Sequence, residues 1–178
     1  GYCKGRHLRV PLTFRSNVPA DKLLALTWQA QIERDLSDCL VLDLDGVEST
    51  TIYRQLGEGA FKAVMLDWRG SYPDPEAYLT PLLSCTTVQG DTCENGEAAI
   101  SGSFWSAPGL QDALQESDAV RGKARMASLN LVEELTASGA AYIPVWLDSP
   151  RAWGQLWIKP PEFDGSGHVV FSRLEKIN

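Results

Sequence analysis

The first 68 residues alternate between apolar runs of strand character and segments of helical period, and this alternation leaves few folds open. His7 to Phe14 carries Leu8, Val10, Leu12 and Phe14 on one side, the period of a strand. Pro11 within it predicts an edge position or a local irregularity, because proline cannot donate to a ladder. Asn17-Val18-Pro19 breaks the run, and proline suits the first turn of a helix. Leu24, Trp28, Ile32 and Leu36 then recur every fourth residue, one face of a helix from Ala20 to Ser37. Cys39 to Leu44 is a second apolar strand. Ser49 is placed to cap a helix carrying Ile52, Tyr53 and Leu56, with Gly57 as its stop. Phe61 to Trp68 is a third strand. Strand, helix, strand, helix, strand implies parallel pairing joined by crossovers. The expected fold class is α/β, a mainly parallel sheet flanked by helices.

Beyond Trp68 the pattern loosens. Glu76 to Leu83 reads as a short helix, and Thr86 to Phe104, rich in Gly, Thr, Asp, Asn and Ser, reads as a loop. Pro108 to Gln115 is a short helix. Arg121 to Thr136 is a longer one, with Ala124, Ala127, Leu131 and Leu135 on its inner face and Gly139 past its end. Tyr142 to Leu147 is a fourth buried strand. After Pro150 the chain becomes irregular, and His168 to Leu174 alternates as a final strand. The expected division is a lobe over 1–150 and a separate segment over 151–178.

At 178 residues, with 44% hydrophobic and 22% charged residues, the chain is long enough for a core of its own. No apolar run approaches the roughly 20 residues of a membrane helix. The absence of a signal peptide before Gly1 suggests a mature form or an excised piece. Net charge is −7, and no basic stripe stands out, which argues against nucleic acid as a partner. The four cysteines, Cys3, Cys39, Cys85 and Cys93, form no Cys-x-x-Cys pair, and His7 and His168 are the only histidines, so no metal site is expected. Cys85 and Cys93 flank a polar loop and suit a disulfide, which places the chain in an oxidising compartment. Cys3 and Cys39 each precede a strand, and two neighbouring parallel strands would bring them together. The alternative is four reduced thiols in a cytosolic protein.

The turn that follows the third strand is Asp67-Trp68-Arg69-Gly70-Ser71-Tyr72-Pro73-Asp74-Pro75. An aromatic, glycine-bearing and proline-stiffened turn at the carboxyl end of a strand is where open α/β sheets bind ligands. It resembles the Trp-x-x-Asp-Tyr-Pro-Asp-Pro signature of family 5 solute-binding proteins of ABC importers, the oligopeptide- and dipeptide-binding group. Gly1-Tyr2, Val47, Tyr53-Arg54-Gln55-Leu56 and Trp68 follow in the order that family shows. Leu110-Gln111-Asp112-Ala113-Leu114, Asp118, Arg121, Arg125 and Tyr142-Ile143-Pro144-Val145-Trp146 continue it. The resemblance implies the C-terminal lobe of a two-lobed, non-enzymatic, extracytoplasmic trap with no cofactor. Such a trap would hold a peptide or related solute between its lobes and present it to a membrane permease. Residues 151–178 would return to the missing N-terminal lobe, or their exposed strand and aromatics would mediate a dimer.

The resemblance assigns ligand contact to Asp67, Trp68, Arg69, Gly70, Ser71, Tyr72 and Asp74. In peptide-binding members an aspartate stands three residues after the tryptophan and meets the peptide amine. Here that position is Ser71, which carries no charge. Asp67 and Asp74 are the nearby carboxylates, although Asp74 also suits a cap on the following helix, and Trp68 also suits core packing. Two other readings follow from the residues. Asp43 and Asp45, in Leu42-Asp43-Leu44-Asp45-Gly46-Val47, resemble the first motif of haloacid dehalogenase-like phosphatases, where the first aspartate attacks phosphate and the second acts as acid and base. A degenerate lobe serving as a protein-interaction module would tolerate Ser71.

Overall fold

In the computed structural model, which describes residues 3–177, strand β1 (Leu8–Arg15) runs between β2 (Leu40–Val47) and β3 (Ala63–Val64). Both pairings are parallel. Helix α1 (Pro19–Asp35) joins β1 to β2, and α2 (Ser49–Gln55) follows β2. The α/β class and the parallel sheet are as the alternation predicts. Gly1-Tyr2, which opens the family resemblance, and Asn178 lie outside the described residues.

The β1–β2 register explains which face is buried. Leu8, Val10, Leu12 and Phe14 pair with Leu40, Leu42, Leu44 and Gly46, so one face is apolar in both strands. Leu24, Trp28 and Ile32 of α1 pack on it around Leu12, Phe14, Ala25, Leu42 and Met65. Gly46 makes room for the Phe14 ring opposite it, from which a Cβ would stand 3.0 Å away. The opposite face carries Arg9, Thr13 and Arg15 on β1 and Asp43 and Asp45 on β2. Arg9 forks onto Asp43, Nε to Oδ2 at 3.0 Å. Both aspartates therefore sit inside β2 rather than past its end. Asp43 is engaged by a guanidinium, and no His, Cys, Asp and Glu cluster among the described residues fits a metal.

Pro11 lies on the central strand rather than at an edge. Its neighbours Leu8 and Ser16 donate toward β2, to Cys39 and Val47, while the Thr13 carbonyl accepts from Met65 on the β3 side. Backbone groups alternate sides along a strand, so Pro11 faces the β3 side. There β3 pairs only with Leu12 and Thr13, and no N–H is demanded of the proline. The same arithmetic shortens the expected third strand from Phe61–Trp68 to Ala63–Val64. Helix α2 is capped by Glu48, which accepts from the Thr50 amide at 2.8 Å. Ser49, read as the cap, instead donates to Asn17. Gly59, in the left-handed region at φ 66°, ends the turn that follows, in place of Gly57.

The chain divides into two compact units that interleave in sequence. One comprises Gly1–Asp67 with Cys85–Trp105, the other Trp68–Ser84 with Ser106–Asn178. The first adds an antiparallel hairpin, β4 (Thr87–Gln89) and β5 (Thr92–Asn95), and a single-turn helix α4 (Glu97–Ile100). Thr86–Phe104 is thus structured rather than a loop. Gly90 at φ +65° makes the tight turn, and Cys93, fully buried against Ala98 and Ala99, fixes the strand.

The second unit holds α3 (Glu76–Leu83), α5 (Leu110–Ala119) and α6 (Gly122–Gly139). Helix α5 buries Leu110, Ala113, Leu114 and Ser117, and α6 buries Ser128, Leu129 and Val132. The inner face of α6 is rotated by one residue from the expected Ala124, Ala127, Leu131, Leu135 set, which brings Arg125 inward. Tyr142–Leu147 is not a strand. Ile143 and Leu147 are 71% and 99% exposed, and no strand among the described residues pairs with them; extended backbone without a partner gains no ladder. His168–Leu174 is not one either. It folds back locally, with bridges Phe163 to Val169 and Ile158 to Lys176 and a 3-10 turn over Phe171–Arg173.

The cysteines meet in two pairs, Cys3 with Cys39 and Cys85 with Cys93, 36 and 8 residues apart in sequence. Cys3–Cys39 ties the amino ends of β1 and β2, as their pairing requires. Loop-closure entropy puts their contributions at about 4 and about 2.5 kcal/mol. Mass spectrometry of the alkylated, unreduced protein should find no modified cysteine. Four alkylated thiols would remove the case for an oxidising compartment.

Candidate functional site

Every member of one polar network comes from just after the carboxyl end of a parallel strand. Arg15 ends β1, Asp21 lies in the first turn of α1, Tyr53 lies on α2 after β2, and Asp67 follows β3. The Arg15 side chain is only 8% exposed, and a buried guanidinium must be paired to be tolerated. Asp21, also buried, takes it bidentately, from Nε to Oδ2 at 2.7 Å and from Nη2 to Oδ1 at 3.0 Å. The remaining Nη1 donates to the Tyr53 hydroxyl at 3.2 Å and to Asp67 Oδ1. The hydrogen bond to Asp21, reinforced by the Asp67 charge, raises the Arg15 pKa despite burial.

Asp67 is the open end of this network. Tyr53 donates to the same Oδ1 at 2.9 Å, and Oδ2 has no hydrogen-bond partner among the described residues. The side chain is 74% exposed. Partial burial, then the bond to Asp67, raises the Tyr53 pKa, so the phenol remains a donor at neutral pH. Two carboxylates share one guanidinium, which leaves one net negative charge, and the exposed oxygen belongs to Asp67. Arg15, Asp21 and Tyr53 were not singled out from sequence as site residues. The available signal was a charged residue ending an otherwise apolar strand, with an acid in the first helical turn beyond it.

The rest of the turn belongs to the second unit, and its residues have other tasks. Asp74 Oδ1 accepts from the Glu76 amide at 2.9 Å and caps the start of α3. The same carboxylate takes Arg125 bidentately, at 2.8 and 2.5 Å, while Arg125 Nε donates to the Ser117 carbonyl. The hydrogen bonds from Arg125, then that from Glu76, pull the Asp74 pKa down to about 2. With both oxygens engaged, Asp74 is a structural anchor. Trp68 donates from Nε1 to the Ala77 carbonyl at 3.0 Å while its ring stays half exposed. Gly70 is buried against Tyr78, where a Cβ would fall 2.5 Å from the ring. Arg69, Ser71 and Tyr72 are exposed. A hydrogen bond with Glu76 raises the Tyr72 pKa. Of the seven residues assigned to ligand contact, Gly70 and Asp74 thus shape the turn, and Asp67 presents an exposed carboxylate oxygen.

No family model and no curated protein matches the sequence. Solved structures do. OppA of Haemophilus influenzae, in complex with RPPGFSPFR, matches 100% of this chain with TM-score 0.74 at 15% identity, over 33% of its own length. A dipeptide-binding protein of Pseudoalteromonas sp. SM9913, in complex with Met-Leu, matches 98% with TM-score 0.70 at 17% identity, over 33% of its length. NikA of Brucella suis, in complex with Fe(III)-EDTA, matches 96% with TM-score 0.64 at 16% identity, over 32% of its length. The chain spans about a third of the length of these proteins. Its fold is that of a periplasmic-binding-protein type II lobe, as the order of elements and the Trp68 turn predict.

The two charge networks should respond differently to mutation. Asp21→Asn leaves the buried Arg15 short of charge and should cost about 3 kcal/mol in urea unfolding. Asp74→Ala should cost about 1–2 kcal/mol at neutral pH, discounted for its partial exposure. Because the folded Asp74 pKa lies below its ordinary 3.8, that stabilisation is complete above roughly pH 4 and is lost as pH falls through about 2. Equal stability of Asp74→Ala and the parent at pH 7 would show that the pair does not hold the turn.

Proposed function

We propose that this chain is the C-terminal lobe of an extracytoplasmic solute-binding component of an ABC importer. Residues 1–150 form the lobe, and 151–178 are the segment that would return to the missing lobe. The protein is not an enzyme and uses no cofactor. It captures a peptide or related small solute and, in the full-length form, delivers it to a membrane permease. The periplasmic or extracytoplasmic setting is supported by the two cysteine pairs at bonding distance. Among the described residues no helix is long and apolar enough to cross a membrane.

The observation that carries the reading is the exposed Asp67 carboxylate, held by Tyr53 and Arg15 at the carboxyl ends of parallel strands, on a fold shared with proteins solved in complex with peptides. It supplies the negative charge that Ser71 cannot. A carboxylate held in place by two donors is ready to pair with an ammonium group without reorganising. Trp68, Arg69, Gly70, Ser71 and Tyr72 complete the ligand-facing turn, and Asp74 braces it. A protein-interaction module is the second reading, favoured by the exposed Trp153, Leu156 and Phe171.

One lobe leaves its ligand wet and offers only part of the contacts. Calorimetry or NMR titration with Met-Leu should therefore give affinity no better than about millimolar, near 4 kcal/mol. Asp67→Asn should weaken it about tenfold, and N-acetylation of the peptide should do the same. Micromolar binding by this chain alone would refute a divided site. Unchanged affinity in Asp67→Asn would remove the assigned role of Asp67.

A further inference from the structure

Asp67 is held by one of its two oxygens only. Oδ1 accepts from the Tyr53 hydroxyl at 2.9 Å and from Arg15 Nη1. Each carboxylate oxygen offers two lone pairs, so Oδ1 is fully used. Arg15 Nη1 also donates to the Tyr53 oxygen at 3.2 Å, which closes a triangle of hydrogen bonds on that side of Asp67. Asp21 grips the other edge of the same guanidinium and keeps it from turning away. Oδ2 has no hydrogen-bond partner among the described residues. All four residues belong to the first unit.

One open oxygen selects among cations of equal charge. A guanidinium draws its advantage from two parallel N–H···O bonds to both oxygens of a carboxylate. At Asp67 one of those oxygens is already taken, by the guanidinium of Arg15 and by the phenol. A guanidinium ligand would make a single bond there and bring its charge against that of Arg15. An ammonium is a compact charge with three rotatable donors. It satisfies Oδ2 with one N–H and leaves the others to water. It also sits on the oxygen that Arg15 does not touch, where like-charge repulsion is weaker. Tyr53 is 47% exposed, so it stands beside the open carboxylate rather than deep in the core. Partial burial, then Asp67, raises its pKa, and the phenol keeps the proton it donates at neutral pH.

We propose that Tyr53 is a specificity-determining residue. Together with Arg15 it occupies Asp67 Oδ1 and makes the site a one-oxygen acceptor, which takes a primary ammonium and discriminates against a guanidinium. The inference deepens the solute-binding reading and rests on the role given there to Asp67. It adds the head group that the site accepts and the residue that sets the choice.

The test compares two ligands of equal charge and the same body. One is Met-Leu, and the other is N-amidino-Met-Leu, in which a guanidinium replaces the terminal ammonium. Both are titrated into the full chain, with the Asp67 carboxyl carbon followed by NMR. The parent should bind the ammonium form about fivefold more tightly. Tyr53→Phe keeps the ring and frees a lone pair on Oδ1. It should bind the guanidinium form about threefold more tightly than the parent does, so that the preference nearly vanishes. A gain in affinity for one ligand is not what loss of structure would produce. Equal or tighter binding of the guanidinium form by the parent would overturn the proposal, and that comparison needs no variant. Equal weakening of both ligands in Tyr53→Phe would overturn the part given to Tyr53. Affinities unchanged in Asp67→Asn would sink the role of Asp67 itself, and this inference with it. A parent without preference, whose binding still depends on Asp67, would sink this inference alone.

Discussion

Burying Arg15 is the constraint around which the first unit is arranged. A guanidinium at the end of a central strand, almost closed to water, would destabilise the fold if left alone. Asp21 answers it bidentately from the first turn of α1, so the start of that helix is fixed relative to the sheet. Tyr53 and Asp67 answer the remaining donor from the ends of two other crossovers. Three chain segments that are remote in sequence are thus held at one end of the sheet by one cation. The same arrangement leaves a single carboxylate oxygen exposed, so the stabilising network and the candidate binding charge are one structure.

The second unit repeats the idea with its own pair. Asp74 lies in the turn, caps α3 through the Glu76 amide and takes Arg125 from α6. Arg125 is also tied to the end of α5 through the Ser117 carbonyl. The turn, α3, α5 and α6 therefore share one anchor. Gly70 completes it by letting the backbone lie against Tyr78, a contact that no side chain at that position would permit. Rigid backbone at the turn is what holds Arg69, Ser71 and Tyr72 outward.

Much of the fold was legible because its signals are local. The apolar face shared by β1 and β2 and by Leu24, Trp28 and Ile32 of α1 follows from period alone, and Glu76–Leu83 was located to the residue. Local reasoning failed where a partner decides the outcome. Tyr142–Leu147 and His168–Leu174 have strand composition, but a strand exists only through a neighbour's hydrogen bonds; among the described residues no strand pairs with the first, and the second finds a partner only at the Phe163–Val169 bridge. Apolarity alone places the inner face of α6 on Ala124, Ala127, Leu131 and Leu135, whereas the folded helix is turned by one residue, with Arg125 bonded to Asp74. Proline at position 11 suggested an edge, although what matters is which side of the strand its missing N–H faces.

What the sequence by itself determined was the class of fold, the parallel pairing that brings Cys3 to Cys39, and the turn at Asp67–Pro75 as the place to look. These depend on periodicity, on punctuation by glycine and proline, and on order along the chain. Only the tertiary structure decided which carboxylate is free. Asp67 and Asp74 look alike in sequence, seven residues apart in one turn. One meets Arg125 with both oxygens, and the other shares Arg15 with Asp21 and keeps an oxygen exposed. That difference is a matter of which distant arginine each reaches, and the distance between them exists only in the folded chain.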